Sequence, residues 1–97
     1  MADVIIGEVT FVDIRRAKNG SPFIVFTLVE SWGYGENKKS IIYNCSTFDL
    51  KYDVKSKDKI IVFGFITSKI VKGTSYKNVE VISIMNQPNF IRNVIVG

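Results

Sequence analysis

Histidine is absent from the 97 residues. Its absence removes the usual general base at neutral pH and the commonest metal ligand. Cysteine occurs once, at Cys45. A single thiol forms no internal disulfide, makes no Cys–His pair and supplies no zinc spacing, and that usage fits a reducing compartment. No apolar run is long enough to span a bilayer as a helix. Met1-Ala2-Asp3 puts no basic region ahead of the first apolar run, so no secretory signal is expected. The carboxylates Glu30, Glu36, Asp49, Asp53 and Asp58 fall mostly in loops and turns, with no spacing that suggests a paired acid and base. The expectation is a cytoplasmic protein that is not an enzyme and carries no cofactor or metal.

What is present is an ordinary globular balance: 46% hydrophobic and 23% charged residues. The length allows one domain with one modest core, a size at which self-association adds useful stability. The formal net charge is +4. A basic surface favours polyanions, although mild basicity is also common among small domains with no such partner.

The hydrophobic pattern is that of strands. Residues Val4 to Arg15 are rich in β-branched side chains, with Gly7 marking a bulge, a bend or a close backbone approach. Lys18-Asn19-Gly20-Ser21-Pro22 reads as a turn. Phe23 to Ser31 is apolar on both faces, as expected of a strand buried on one side and covered or functional on the other. Trp32 to Lys39 is a polar loop. In Ser40 to Phe48, Ile41, Tyr43, Cys45 and Thr47 share the face expected to be core, and Ile42, Asn44, Ser46 and Phe48 the other. Within Asp49 to Asp58, Leu50 and Val54 stand four apart, predicting a short helical segment that buries both. Lys59 to Lys69 and Tyr76 to Met85 complete the strands, separated by a glycine-tipped loop from Val71 to Ser75. Five strands with one short helical segment between the third and fourth predict an all-β fold of the OB type, a five-stranded Greek-key barrel. A β-sandwich usually needs more strands than this length supplies. The barrel is assigned to residues 1–85 and an apolar, basic tail, read as an interface segment, to 86–97.

Three stretches resemble the bacterial and phage single-stranded DNA-binding protein family, including its small primosomal relatives. These are Asn19-Gly20 through Glu30-Ser31-Trp32, the run Ser56-Lys57-Asp58-Lys59-Ile60-Ile61-Val62-Phe63-Gly64-Phe65-Ile66, and the opening Val4-Ile5-Ile6-Gly7-Glu8-Val9. The resemblance covers roughly residues 3 to 84. The resemblance implies sequence-nonspecific binding of single-stranded DNA in replication or recombination, by a homodimer or homotetramer. Trp32 matches the family's stacking tryptophan after the second strand, and Phe48 its stacking phenylalanine at the end of the third. Two further family aromatics fall at Ile42 and near Val71, with Tyr34 and Tyr76 as candidate replacements. In place of the family's acidic tail the chain ends Asn89-Phe90-Ile91-Arg92-Asn93-Val94-Ile95-Val96-Gly97. That ending fits a phage, plasmid or mobile-element protein, or a primosomal accessory protein, better than a housekeeping one.

Single strands are held by a basic groove together with aromatic rings on which bases stack. The candidate residues gather at three turns. Arg15 and Lys18 stand at the first hairpin. Trp32, Tyr34, Lys38 and Lys39 stand in the second loop. Lys69, Lys72, Tyr76 and Lys77 flank the last loop, and Phe48 closes the set. Trp32 and Phe48 also have packing readings, against the barrel end and within the core. Ile61, Phe63 and Phe65 are expected to form a subunit interface, since such an apolar row would otherwise invite aggregation. A second function stays open, a barrel docking a replication protein or helicase with weak nucleic-acid contact. RNA also remains open as a ligand, because stacking alone does not read the 2′-hydroxyl.

Overall fold

A computed structural model describes residues 2–86. Apart from Asn86, the tail assigned to 86–97 lies outside the described residues, and so does its interface role. Five strands form one closed barrel in the order β1-β2-β3-β5-β4, with β4 returning to β1. They are β1 (Asp3–Arg16), β2 (Pro22–Trp32), β3 (Lys39–Thr47), β4 (Lys59–Val71) and β5 (Thr74–Asn86). Every ladder is antiparallel except β3–β5, which is parallel. This is the OB barrel that the strand count predicts.

Closure depends on the bends in β1 and β4. Glu8 belongs to both ladders of β1, pairing with Lys59 on β4 and with Val29 on β2. The strand therefore changes partner at Gly7 and Glu8. A Cβ on Gly7 would meet the Val29 carbonyl oxygen at 2.6 Å, and one on Gly64 would collide with the Glu80 carbonyl oxygen and the Val79 side chain. Both positions need glycine because another backbone passes there. The register also slips between Val9 and Phe11 on β1, and between Phe63 and Gly64 against β5. Such bulges add the local twist a small barrel requires. The first has a further effect. Val9 is fully buried while Phe11 is 47% exposed, although simple alternation would have put both inside.

The core is filled from every strand by side chains that include Ile5, Val9, Phe26, Leu28, Tyr43, Cys45, Val62 and Val79. On β3, Tyr43, Cys45 and Thr47 are buried and Ile41 packs half-buried against them, while Ile42, Asn44 and Phe48 are exposed. The alternation read from the sequence is thus the alternation observed.

Two local expectations are corrected. Residues Asp49 to Asp58 form turns and extended chain, with no helix. Leu50 remains 48% exposed, and only Val54 packs on the core. Short polar side chains there compete for the backbone N–H groups a helix would use. The Thr47 hydroxyl accepts from the Asp49 amide at 3.1 Å, Asp49 accepts from Lys51 at 3.2 Å, and Asp58 accepts from Lys55 at 2.9 Å. The helical residues among those described lie instead in a single 3-10 turn at Gly35–Asn37. The expected loop from Val71 to Ser75 shrinks to a two-residue turn. Val71 pairs with Thr74, and Lys72 and Gly73 take φ of 50° and 80°, the left-handed pair that matches strand twist in a tight hairpin.

Burial pushes the Cys45 thiol up from 9.0 to about 12. Tyr43 is raised too, by burial first and then by Glu30. In each case the folded state keeps a proton that the unfolded chain releases. This stabilisation is complete below the unfolded pKa and is lost as pH rises towards the folded one. Urea titrations of wild type and Cys45→Ala should therefore diverge in alkali. Wild type should lose about 2 kcal/mol relative to the variant between about pH 8 and about pH 10.5. Parallel losses would show that the thiol is not sealed in the core.

Candidate nucleic-acid interface

The outward side chains of β2, β3, β5 and β4 form rows that the ladder registers define. Thr27 pairs with Asn44, Asn44 with Asn78, and Asn78 with Thr67. In the next row Val25 pairs with Ser46, Ser46 with Glu80, and Glu80 with Phe65. β1 adds Phe11 opposite Thr27, Asp13 opposite Val25, and Arg15 opposite Phe23. The result is one continuous face with a polar floor of Thr, Asn and Ser and with aromatic rings around it.

Two depressions occupy this face. One, of about 350 Å³, is lined by Phe11, Arg15, Phe23, Val25, Thr27, Asn44 and Ser46 among others. The second, of about 560 Å³, is lined by residues that include Phe48, Phe65, Thr67 and Glu80. Ser46 and Asn78 belong to both, so the two run together. At one end the rings of Phe23 and Phe48 lie 5.2 Å apart at 43°, a favourable tilted contact. Phe48 remains 64% exposed despite it. Its packing partner is on the outer face, and it contributes nothing to the core.

The candidates chosen from the sequence separate into two groups. Arg15, Lys18 and Phe48 lie at the end where β2 begins and β3 finishes. The remaining residues lie at the opposite end. Because β3 and β5 run parallel, with Tyr43 beside Lys77, the β2–β3 and β4–β5 hairpin tips project from the same end. That juxtaposition collects Trp32, Tyr34, Lys38, Lys39, Lys69, Lys72, Tyr76 and Lys77. From Phe48 to Ile42, the outward residues of β3 cover about 20 Å between the ends.

Not all of these residues share the face. Tyr76 and Lys69 do: they pair with each other, one row beyond Asn78 and Thr67. Ile42 and Tyr76 each immediately precede the Tyr43–Lys77 pair. Tyr76, 46% exposed, thus presents an aromatic ring beside Ile42. Lys77 has the inward parity of Val79, is half-buried and donates to the Ser68 hydroxyl at 3.4 Å. Lys38 lines a different depression, with Ile6, Glu8 and Lys59. Trp32 is the last residue of β2 and not a loop residue; it pairs with Lys39. The β2–β3 register is unbroken, so Trp32 has the parity of Phe26 and Leu28, beyond the end of the core. Tyr34 is 92% exposed. Arg15 is held by Asp13 at 3.4 Å, with both side chains exposed, a pair worth little in water.

Three aromatics of the face were not chosen from sequence. Phe23 was within reach, because strict alternation sets it with Val25 and Thr27, opposite the core. Phe11 was hidden by the bulge. Phe65 keeps the outward parity of Ile61 and Phe63, because the extra residue at this bulge is Ile82 on β5. Ile61 and Phe63 face β1, opposite Ile6 and Val4, whereas Phe65 lines the groove beside Phe48. Among the described residues, no group of three or more His, Cys, Asp or Glu could hold a metal ion.

Strand order and ladder pattern together define an OB barrel. The small single-stranded DNA-binding protein of Streptomyces coelicolor superposes with a TM-score of 0.66 at 14% identity, over 93% of this chain and 96% of that one. The Plasmodium falciparum SSB in complex with ssDNA gives 0.68 at 13% identity, over 88% and 92%. PriB of Ralstonia solanacearum gives 0.60 at 12% identity, over 89% and 96%. At these identities the likeness is one of fold. No protein-family model matches the sequence, and comparison with curated proteins also finds no match.

The placement of Trp32 beyond the core has a direct test. Trp32→Ala should shift unfolding stability by no more than about 0.5 kcal/mol. A loss of about 3 kcal/mol or more, the range for a buried ring, would show that Trp32 seals the barrel end.

Proposed function

We propose that the chain binds single-stranded DNA along the outer β1-β2-β3-β5-β4 face, largely without regard to sequence. The supporting observation is the ring of aromatics around a polar floor: exposed Phe11, Phe48, Phe65 and Tyr76, with half-buried Phe23. Bases stack on such rings whatever their identity, at about 1–3 kcal/mol each. Arg15 and Lys18 at one end, with Lys69 and Lys72 at the other, meet the phosphates entering and leaving. Trp32 and Tyr34 extend the stacking surface past the hairpin tips. This is the role of a binding protein rather than an enzyme, in DNA replication or recombination. The superposed structures described as single-stranded DNA-binding proteins support the same reading.

Anisotropy titrations with labelled single-stranded and duplex DNA should show preferential binding of the single strand, weakening steeply as salt rises. Phe48→Ala and Tyr76→Ala should each weaken it by about 1–3 kcal/mol. Failure to bind either form would sink the proposal and favour the protein-docking reading.

A second copy of the chain is the proposed occupant of the opposite side of the barrel. Val4, Ile6, Ile82 and Met85 are 56%, 47%, 51% and 44% exposed there, and Ile6 lies opposite buried Ile61, which in turn pairs with Met85. An apolar surface of this kind usually marks an interface. Ile6→Lys should reduce the mass found by light scattering to that of one chain. Wild type already at that mass would overturn the proposal.

A further inference from the structure

We infer that Glu80 makes the face prefer guanine over the other bases, an inference that rests on the single-strand reading above. Glu80 points outward between the buried Val79 and Val81. It pairs with Ser46 on one side and Phe65 on the other, and it lines the groove with Phe48. Among the described residues the ion pairs use Asp13, Asp49 and Asp53, and Glu80 joins none of them. A carboxylate outside those ion pairs thus lies in the middle of a surface that would hold a polyanion, while Asp13 and Asp49, on the same face, are each paired with a cation.

Two consequences follow from its charge. Phosphates are repelled from the floor, so the backbone of a bound strand runs along the rim, past Arg15 and Lys69, and the bases turn inward. A base above Glu80 must then offer hydrogen-bond donors, because an ionised carboxylate only accepts. In single strands the Watson–Crick edge is free to be read. Guanine alone among the DNA bases carries two adjacent donors there, N1–H and the N2 amino group. They match the two carboxylate oxygens as the fork of a guanidinium does. Adenine and cytosine offer one amino group next to an acceptor nitrogen. Thymine sets N3–H between two carbonyl oxygens, which the carboxylate repels. Asn78, two residues before Glu80 on the same side of β5, brings an amide donor for the guanine O6. Phe48 and Phe65 supply rings on which the same base can stack.

The test compares labelled thymine oligomers carrying no guanine, one guanine, or one hypoxanthine, which lacks the N2 amino group. Wild type should bind the guanine strand about five-fold or more tightly than the other two. Glu80→Gln, which presents one acceptor and one donor at an exposed site, should bind all three alike and keep the wild-type urea midpoint. Equal binding of the three strands by wild type would overturn the guanine preference and leave single-strand binding intact. A preference that survives in Glu80→Gln would overturn the role of Glu80. Binding of none of the strands would remove the single-strand reading, and this inference with it.

Discussion

The short parallel ladder between β3 and β5 is the constraint on which the rest of the molecule depends. It runs only from Tyr43 with Lys77 to Ser46 with Glu80. Without it the chain is two antiparallel groups joined through β1 and β4. With it the sheet closes, Tyr43, Cys45 and Val79 are sealed inside, and two hairpin tips distant in sequence come to the same end. The same rungs set Asn44 and Ser46 beside Asn78 and Glu80 on the outside. Core and candidate face are therefore two sides of one set of pairings. A slip of one residue would exchange them, which is why the register has to be strongly specified.

The bulge in β1 and the reach of β4 beyond its ladder with β1 give this closed barrel a usable exterior. A regular β1 would send Phe11 inward. The slip after Val9 turns it outward, opposite Thr27. The outward row of β4 is unbroken and serves two surfaces because the rungs with β1 end at Gly64: Ile61 and Phe63 lie beside β1, and Phe65 beyond them lines the groove. Close backbone packing at Gly7 and Gly64 accompanies both features.

Much of this was legible in the sequence, and the exceptions have identifiable causes. Period-two alternation located the strands to within about two residues, and it sorted β3 correctly into Tyr43, Cys45 and Thr47 inside and Asn44 and Phe48 outside. The Leu50–Val54 spacing misled, because Thr47, Asp49 and Asp58 draw nearby amides into side-chain turns that no periodicity records. Phe11 was missed because a bulge leaves no sign in the sequence beyond a nearby glycine, and Phe65 was read as outward but assigned to a subunit interface. Trp32 was found, but its parity was not. Only the unbroken β2–β3 register reveals that it belongs to the inward series, past the end of the core. The basic residues were identified as a set, yet Lys38 and Lys77 turn away from the groove, and lysine placement on a hairpin is decided by parity.

The β4–β5 hairpin continues past the last rung with β1 and past the first rung with β3, so from Lys69 to Tyr76 it is a bare two-stranded ribbon. Among the described residues no further strand flanks it, and Ile70 on it is 74% exposed. Open sheet edges of this kind are templates for joining copies of a chain edge to edge, and positive charge is a common guard against it. Lys69 and Lys72 therefore hold a second post. The residues that would greet phosphates also keep the ribbon of one molecule from zipping onto that of another, so replacing them with neutral side chains would lower solubility together with affinity.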